Sequence, residues 1–141
     1  MRLHAWTDGA SRGNPGEAAI GIIIKQEDGT VVATKKRYLG TATNNVAEYT
    51  ALLECIALVR EAETFRCTEL VVQTDSELMA RQLNGQYKVK DAGLKVLFDD
   101  VKRSLAGAPF TFTIRHIPRS LNKEADALAN EAIDTNVRKA Q

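Results

Sequence analysis

Residues 18–25 read Ala-Ala-Ile-Gly-Ile-Ile-Ile-Lys, an apolar, β-branched run with no polar alternation. Such a run predicts a strand buried on both faces. Ahead of it, Leu3 to Gly9 reads as a short strand that ends on the carboxylate of Asp8. Ala10 to Gly16 reads as the connection, with Asn14-Pro15-Gly16 marking a turn. After the apolar run, Glu27-Asp28-Gly29-Thr30 is a hairpin signal. Val31 to Leu39 returns as a third strand, and Lys35, Lys36 and Arg37 mark it as partly exposed. The three strands predict an antiparallel meander.

The pattern then changes period. Gly40 to Asn45 is a polar, helix-starting segment, after which Tyr49, Leu52, Leu53, Ile56 and Val59 recur at helical spacing to a stop near Glu63. Glu69 to Thr74 predicts a strand parallel to the first, reached by a right-handed crossover. Asp75-Ser76 reads as the cap of a second helix through Leu83, which Asn84-Gly85 stops. A polar connection over 86–92 precedes the stripe Leu94, Leu97, Phe98, Val101 and Leu105, and Gly107-Ala108-Pro109 breaks it. Phe110, Phe112 and Ile114 alternate with Thr111, Thr113 and Arg115, which predicts a half-buried strand. Pro118 to Ser120 turns the chain into a last amphipathic helix carrying Leu121, Ala125, Leu128, Ala129, Ala132 and Ile133. The order βββ-α-β-α-(α)-β-α predicts an α/β fold: a mixed sheet of three antiparallel strands then two parallel ones, flanked by helices. Residues 1–135 are expected to form one domain, and 136–141 a polar, frayed tail.

Composition narrows the class. The chain has 141 residues, 44% of them hydrophobic and 26% charged, with a net charge of +1. That suits a globular protein with a real core and excludes a strongly basic nucleic-acid binder. Any affinity for phosphate must be local or supplied by metal ions. No apolar run has membrane-spanning length and Met1-Arg2-Leu3-His4 opens no signal peptide, so a cytoplasmic location is expected. Cys55 and Cys67 form no C-x-x-C pair and read as reduced structural thiols. No oligomerisation stripe stands out, so a monomer is expected.

The candidate chemistry lies in carboxylates at element ends. Asp8 and Asp75 follow strands expected to be parallel neighbours, so both emerge at one sheet edge. Glu48 lies in the first turn of the first helix and Asp126 early in the last. Each has an ordinary alternative. Glu48 stands three residues after Asn45, as the acid of a capping box does. Asp75 serves as a helix cap. Asp126 serves as a solvated flank. Brought together, however, the four repel one another, and hard divalent cations such as Mg²⁺ or Mn²⁺ remove that repulsion. No zinc spacing, Ser-His-Asp order or P-loop competes. The chemistry that fits is two-metal phosphoryl transfer.

These residues also resemble a family. Asp8-Gly9-Ala10-Ser11-Arg12-Gly13-Asn14-Pro15-Gly16, Thr43-Asn44-Asn45-Val46-Ala47-Glu48-Tyr49, Thr74-Asp75-Ser76 and Asn122-Lys123-Glu124-Ala125-Asp126-Ala127-Leu128-Ala129 resemble, in order, the blocks of type 1 ribonuclease H. The match runs from about residue 3 to about residue 133, nearly the whole chain. The resemblance implies the ribonuclease H-like fold. It implies an endonuclease that cuts the RNA strand of RNA/DNA hybrids and leaves 5′-phosphate and 3′-hydroxyl ends. Two Mg²⁺ ions bound with substrate are expected, with Mn²⁺ a possible substitute. Asp8, Glu48, Asp75 and Asp126 would be the metal-site acids. Glu48 would also sit near the 2′-hydroxyl beside the scissile phosphate. Gly9, Ser11, Asn14, Thr43, Asn44 and Asn45 would lie along the minor groove, where amides both donate to and accept from 2′-hydroxyls. His116, ten residues before Asp126, matches the mobile-loop histidine that some members use in proton transfer or product release. It also continues the Phe110–Ile114 alternation, which would turn it inward on the strand.

Two departures stand out. The basic, Trp-rich extension that many members carry after the second helix is missing; Asn84 to Gly93 offers only Lys88 and Lys90. This is the pattern of a compact subgroup, whose grip on the hybrid would shift to Lys123, Arg119 or the tail residues Arg138 and Lys139. Double-stranded RNA is a second candidate substrate. Among rival readings, a binding module with lost catalysis conflicts with an intact acid set. A 3′–5′ exonuclease or integrase-type transferase would not need the asparagine blocks.

Overall fold

The computed structural model describes residues 1–140, with side chains through Val137. Its elements are β1 (Arg2–Gly13), β2 (Gly16–Gln26), β3 (Val31–Ala42), α1 (Asn44–Glu61), β4 (Glu69–Thr74), α2 (Glu77–Leu83), α3 (Ala92–Ala106), β5 (Thr111–His116) and α4 (Lys123–Ala140). The five-stranded sheet has the order β3-β2-β1-β4-β5. β1–β2 and β2–β3 are antiparallel, while β1–β4 and β4–β5 are parallel. The mixed sheet expected from the sequence is therefore the one observed.

Side chains alternate between the two faces of a strand, and the core divides accordingly. Leu3 and Ala5 of β1, with Ile20, Ile22 and Ile24 of β2, pack against Leu52, Cys55 and Ile56 of α1 and Val101 of α3. On the opposite face, Ala19 meets Ala132 and Ile133 of α4. α1 is covered on most sides by the sheet and α3, which explains why its apolar positions exceed a single stripe. No helix among the described residues is long and apolar enough to cross a membrane.

Several boundaries differ from expectation. β1 does not end on Asp8 but continues to Gly13, because its pairing with β2 carries on to Gly13↔Gly16. Its pairing with β4 stops at Thr7↔Thr74. The sheet therefore forks between Thr7 and Thr74, and Asp8 lies at the fork. β3 extends through Ala42, with a register shift beside Ala18 and Ala19 and a positive φ at Gly40. The last helix begins at Lys123 and excludes Leu121, which sits in a 3₁₀ turn (Arg119–Leu121) and is 65% exposed. Residues 136–140 continue α4 rather than forming a separate tail. Gln141 and the side chains of Arg138 and Lys139 lie outside the described residues.

Candidate active site

Two helix starts and two strands meet at the fork. The approach is close because glycine stands where each helix crosses the sheet. A Cβ on Gly9 would lie 2.2 Å from the Ala47 carbonyl carbon and 2.3 Å from the Glu48 nitrogen. A Cβ on Gly21, the register partner of Asp8, would lie 2.1 Å from the Ala125 oxygen. α1 and α4 thus come down on opposite faces beside Asp8 and carry Glu48 and Asp126 with them.

Oxygens of Asp8, Glu48 and Asp75 lie within 4.8 Å of one another. Asp126 lines the same cavity, of about 460 Å³. Asp8 and Glu48 are buried, 4% and 2% exposed. Burial, the Asp75 charge and contacts with Asp126 push the Asp8 carboxyl up to about 8. Burial, followed by the charges of Asp8 and Asp75, holds Glu48 well above the usual carboxylate range. The Gly9 backbone N–H, donating to Glu48 Oε1 at 2.7 Å, opposes that shift. A hard divalent cation relieves the same repulsion and suits an all-oxygen donor set, so the residues present fit one.

Glu48 is not the acid of a capping box. Thr43 is the N-cap, its hydroxyl accepting from the Val46 N–H at 3.2 Å, and Glu48 is left to face Gly9. Nor is Asp75 the cap of α2. Ser76 takes that role by accepting from the Met79 N–H. Asp75 Oδ2 instead accepts from Asn122 Nδ2 at 3.3 Å, and the same nitrogen donates to the Thr7 carbonyl at 2.9 Å.

Gly9, Ser11 and Asn44 line the cavity. Asn14 joins them indirectly: its Oδ1 accepts from the Asn44 N–H at 3.1 Å and docks the β1–β2 turn on the start of α1. The Ser11 hydroxyl donates to the Ala42 carbonyl at 2.8 Å. Asn45 is half-buried in the first turn of α1. His116 ends β5 opposite Thr74 and is exposed, so the inward alternation stops at Ile114 and the next buried residue is Ile117. His116 is outside the cavity lining, whereas Arg119 is in it, with Nη2 3.8 Å from Asp126 Oδ1.

Sequence reasoning assigned no role at the acids to Asn122, Asn130, Arg12 or Gly21. Asn122 reads as an ordinary helix start, and only the i, i+4 spacing of Asp126 and Asn130 hints at a contact. A larger hollow, about 660 Å³ beside Phe65 and Phe110, lies at the other end of β4 and gathers no acid cluster among the described residues.

A family model described as reverse transcriptase-like matches residues 6–132. The ribonuclease HI of Halobacterium salinarum is 43% identical over 133 residues, 94% of this chain and 65% of that protein. A bifunctional protein of Mycobacterium tuberculosis is 39% identical over 141 residues, 99% of this chain and 38% of that protein. The chain thus spans less than two thirds of the length of these relatives. Among solved structures, LC11-RNase H1, isolated from compost and crystallised with RNA/DNA hybrid, is 40% identical with a TM-score of 0.90, covering 96% of this chain and 99% of that one. The RNase H1 of H. salinarum is 41% identical with a TM-score of 0.87, at 96% and 99% coverage.

Proposed function

Because the chain belongs to the type 1 ribonuclease H family, we propose that it is an endonuclease hydrolysing the RNA strand of RNA/DNA hybrids to 5′-phosphate and 3′-hydroxyl ends. The observation that carries this reading is the close group of Asp8, Glu48 and Asp75 with Asp126 beside it. These acids would hold Mg²⁺, with Mn²⁺ as a substitute. Two such ions bound by these acids would supply activation of a water for attack on phosphorus and charge stabilisation at the leaving oxygen. The chain itself orients the RNA: Asn14, Asn44 and Asn45, with the Gly9–Ser11 backbone and Thr43 beside them, face its 2′-hydroxyls. His116, exposed at the end of β5, is assigned to proton transfer or product release.

The test uses labelled RNA/DNA hybrid, double-stranded RNA, single-stranded RNA and double-stranded DNA, each with Mg²⁺, with Mn²⁺ and with chelator. Cleavage of the RNA in hybrid is expected, lost in chelator; equal cleavage of all four substrates sinks the reading. Appreciable cutting of double-stranded RNA would extend the substrate class. In the same assay His116→Ala is expected to slow turnover by less than about tenfold and to alter the pH profile. An unchanged rate and profile removes its role.

Without a basic extension, the second strand needs another grip, and we assign it to the end of α2. Arg81 stacks over the Tyr87 ring at 5.4 Å. The loop carrying Tyr87 and Lys88 is pinned from beneath: Gln82 Nε2 donates to the Lys88 carbonyl at 3.4 Å, and the Tyr49 hydroxyl donates to Gln82 Oε1 at 2.5 Å. An exposed aromatic with adjacent cations suits sugar and phosphate contacts. Replacing Tyr87 by Ala and Lys88 by Gln is expected to weaken hybrid binding in chelator. The salt slope should flatten by about 1, with saturated turnover little changed. Unaltered affinity and slope would put the grip elsewhere.

A cytoplasmic monomer completes the proposal. Buried free thiols at Cys55 and Cys67 suit a reducing compartment. Lys35, Lys36 and Arg37 on edge strand β3 discourage strand-to-strand association. Sizing in solution checks the oligomeric state.

A further inference from the structure

Asp126 differs from the other acids in being on α4 and one-third exposed. A partly solvated carboxylate has several staggered rotamers open to it, so a fixed aim needs a hydrogen-bonding partner. Asn130, one turn on, supplies one. Its Nδ2 donates to Asp126 Oδ1 at 3.3 Å and to the Asp126 carbonyl at 3.0 Å. On its other side, Asn130 Oδ1 accepts from Arg12 Nη2 at 3.2 Å. Arg12 comes from the part of β1 that runs on past β4, and it also pairs with Asp134 at 2.7 Å. The two neighbours determine the orientation of the amide. Turned over, it would set N–H against guanidinium and oxygen against carboxylate.

We infer that Arg12 and Asn130 form a positioning relay from the β1–β2 hairpin to Asp126, holding that carboxylate toward Asp8. This rests on the reading of Asp126 as a metal-site acid. The same hairpin carries Asn14, so the relay also ties the seating of the RNA to the aim of the fourth carboxylate. Aspartate at 130 would still accept from Arg12 but would repel Asp126, so the amide is the group the position requires.

The test compares wild type, Asn130→Ala, Asn130→Asp, Arg12→Ala and the Arg12→Ala/Asn130→Ala double variant. Glu131→Gln is the control: it breaks a different tie of α4 to the sheet, the 3.1 Å pair with Lys36. Three quantities are read: kcat and KM on hybrid, Mn²⁺ affinity by calorimetry without nucleic acid, and Tm. Asn130→Ala is expected to lower kcat and Mn²⁺ affinity by about tenfold with KM within about twofold, as for loss of a group that orients a metal ligand. Arg12→Ala should give a smaller loss, of about threefold, and the double variant should be no worse than Asn130→Ala. Asn130→Asp should keep Tm yet lose kcat, and Glu131→Gln should change neither kcat nor Mn²⁺ affinity. The inference is overturned by Asn130→Ala retaining kcat and Mn²⁺ affinity, or by additive losses. A rise in KM alone also overturns it, since that would put Arg12 on the substrate. If wild type fails to cut hybrid, the proposed function fails, while the Mn²⁺ comparison still judges the relay.

Discussion

Asp8→Asn is expected to reduce hybrid cleavage by about 10²–10³-fold or more and, in chelator, to make the protein more stable. The activity loss reflects the position of Asp8 at the fork, between the helices that bring Glu48 and Asp126. An amide there lacks the charge that draws a divalent cation, and losing one preorganised stabilising group costs about this much. The stability gain has a different source. The folded state raises the Asp8 carboxyl from the ordinary 3.8 to about 8, chiefly by burial and next by the Asp75 charge. Between those values the folded protein holds a proton that the unfolded chain has released. Stability therefore falls as pH rises from about 4 to about 8, and the full penalty is present above that range. Asparagine carries no such penalty. Melting in chelator should show a gain of about 2–4 kcal/mol at pH 8–9, or roughly 6–12 °C, shrinking toward nothing near pH 4. A variant that cleaves at the wild-type rate, or one whose Tm advantage does not grow with pH, contradicts this account of the site.

The second large effect belongs to a residue with no side chain. Gly21→Ala is expected to cost about 1–3 kcal/mol of stability and about 10–100-fold in kcat, with KM little changed. The added Cβ would meet the Ala125 oxygen at 2.1 Å and the Ala129 nitrogen at 2.8 Å, both backbone atoms of α4. Neither can rotate away, so the helix must retreat, and Asp126 retreats with it from Asp8. Misplacement by about 1 Å accounts for a loss of this size in turnover. Gly9→Ala makes the corresponding test on α1, with the added obstruction falling on Ala47 and Glu48. Thermal melting and steady-state kinetics on hybrid check both. If Gly21→Ala keeps wild-type kcat, close approach of α4 is not what seats the acid.

Much of the fold was legible because its strands and helices differ in period. The β-branched run of β2, the stripe of α3 and the alternation of β5 each follow from local preference plus burial. The errors cluster where pairing or packing decides. By local pattern Asp8 ends a strand, because Gly9 and the following polar residues resemble a turn, yet the β2 backbone keeps them paired to Gly13. Leu121 fitted the apolar stripe of the last helix by spacing alone, but a 3₁₀ turn leaves it in solvent. Of the two readings open for His116, the inward one fails because the strand ends there and Ile117 takes the buried place.

By itself the sequence determined the number and order of strands, the crossover that makes β1 and β4 parallel, and the acids at the ends of β4 and at the starts of α1 and α4. These are local properties: periodicity, caps and turn residues act over a few positions. Tertiary structure alone decided that the sheet forks after Thr7 and Thr74, that Gly9 and Gly21 admit two helices at backbone contact, that Asn122 and Asn130 reach the carboxylates, and that Arg12 reaches Asn130. Those contacts join residues up to 118 positions apart. Only the folded chain brings them within hydrogen-bonding distance, so no local pattern records them.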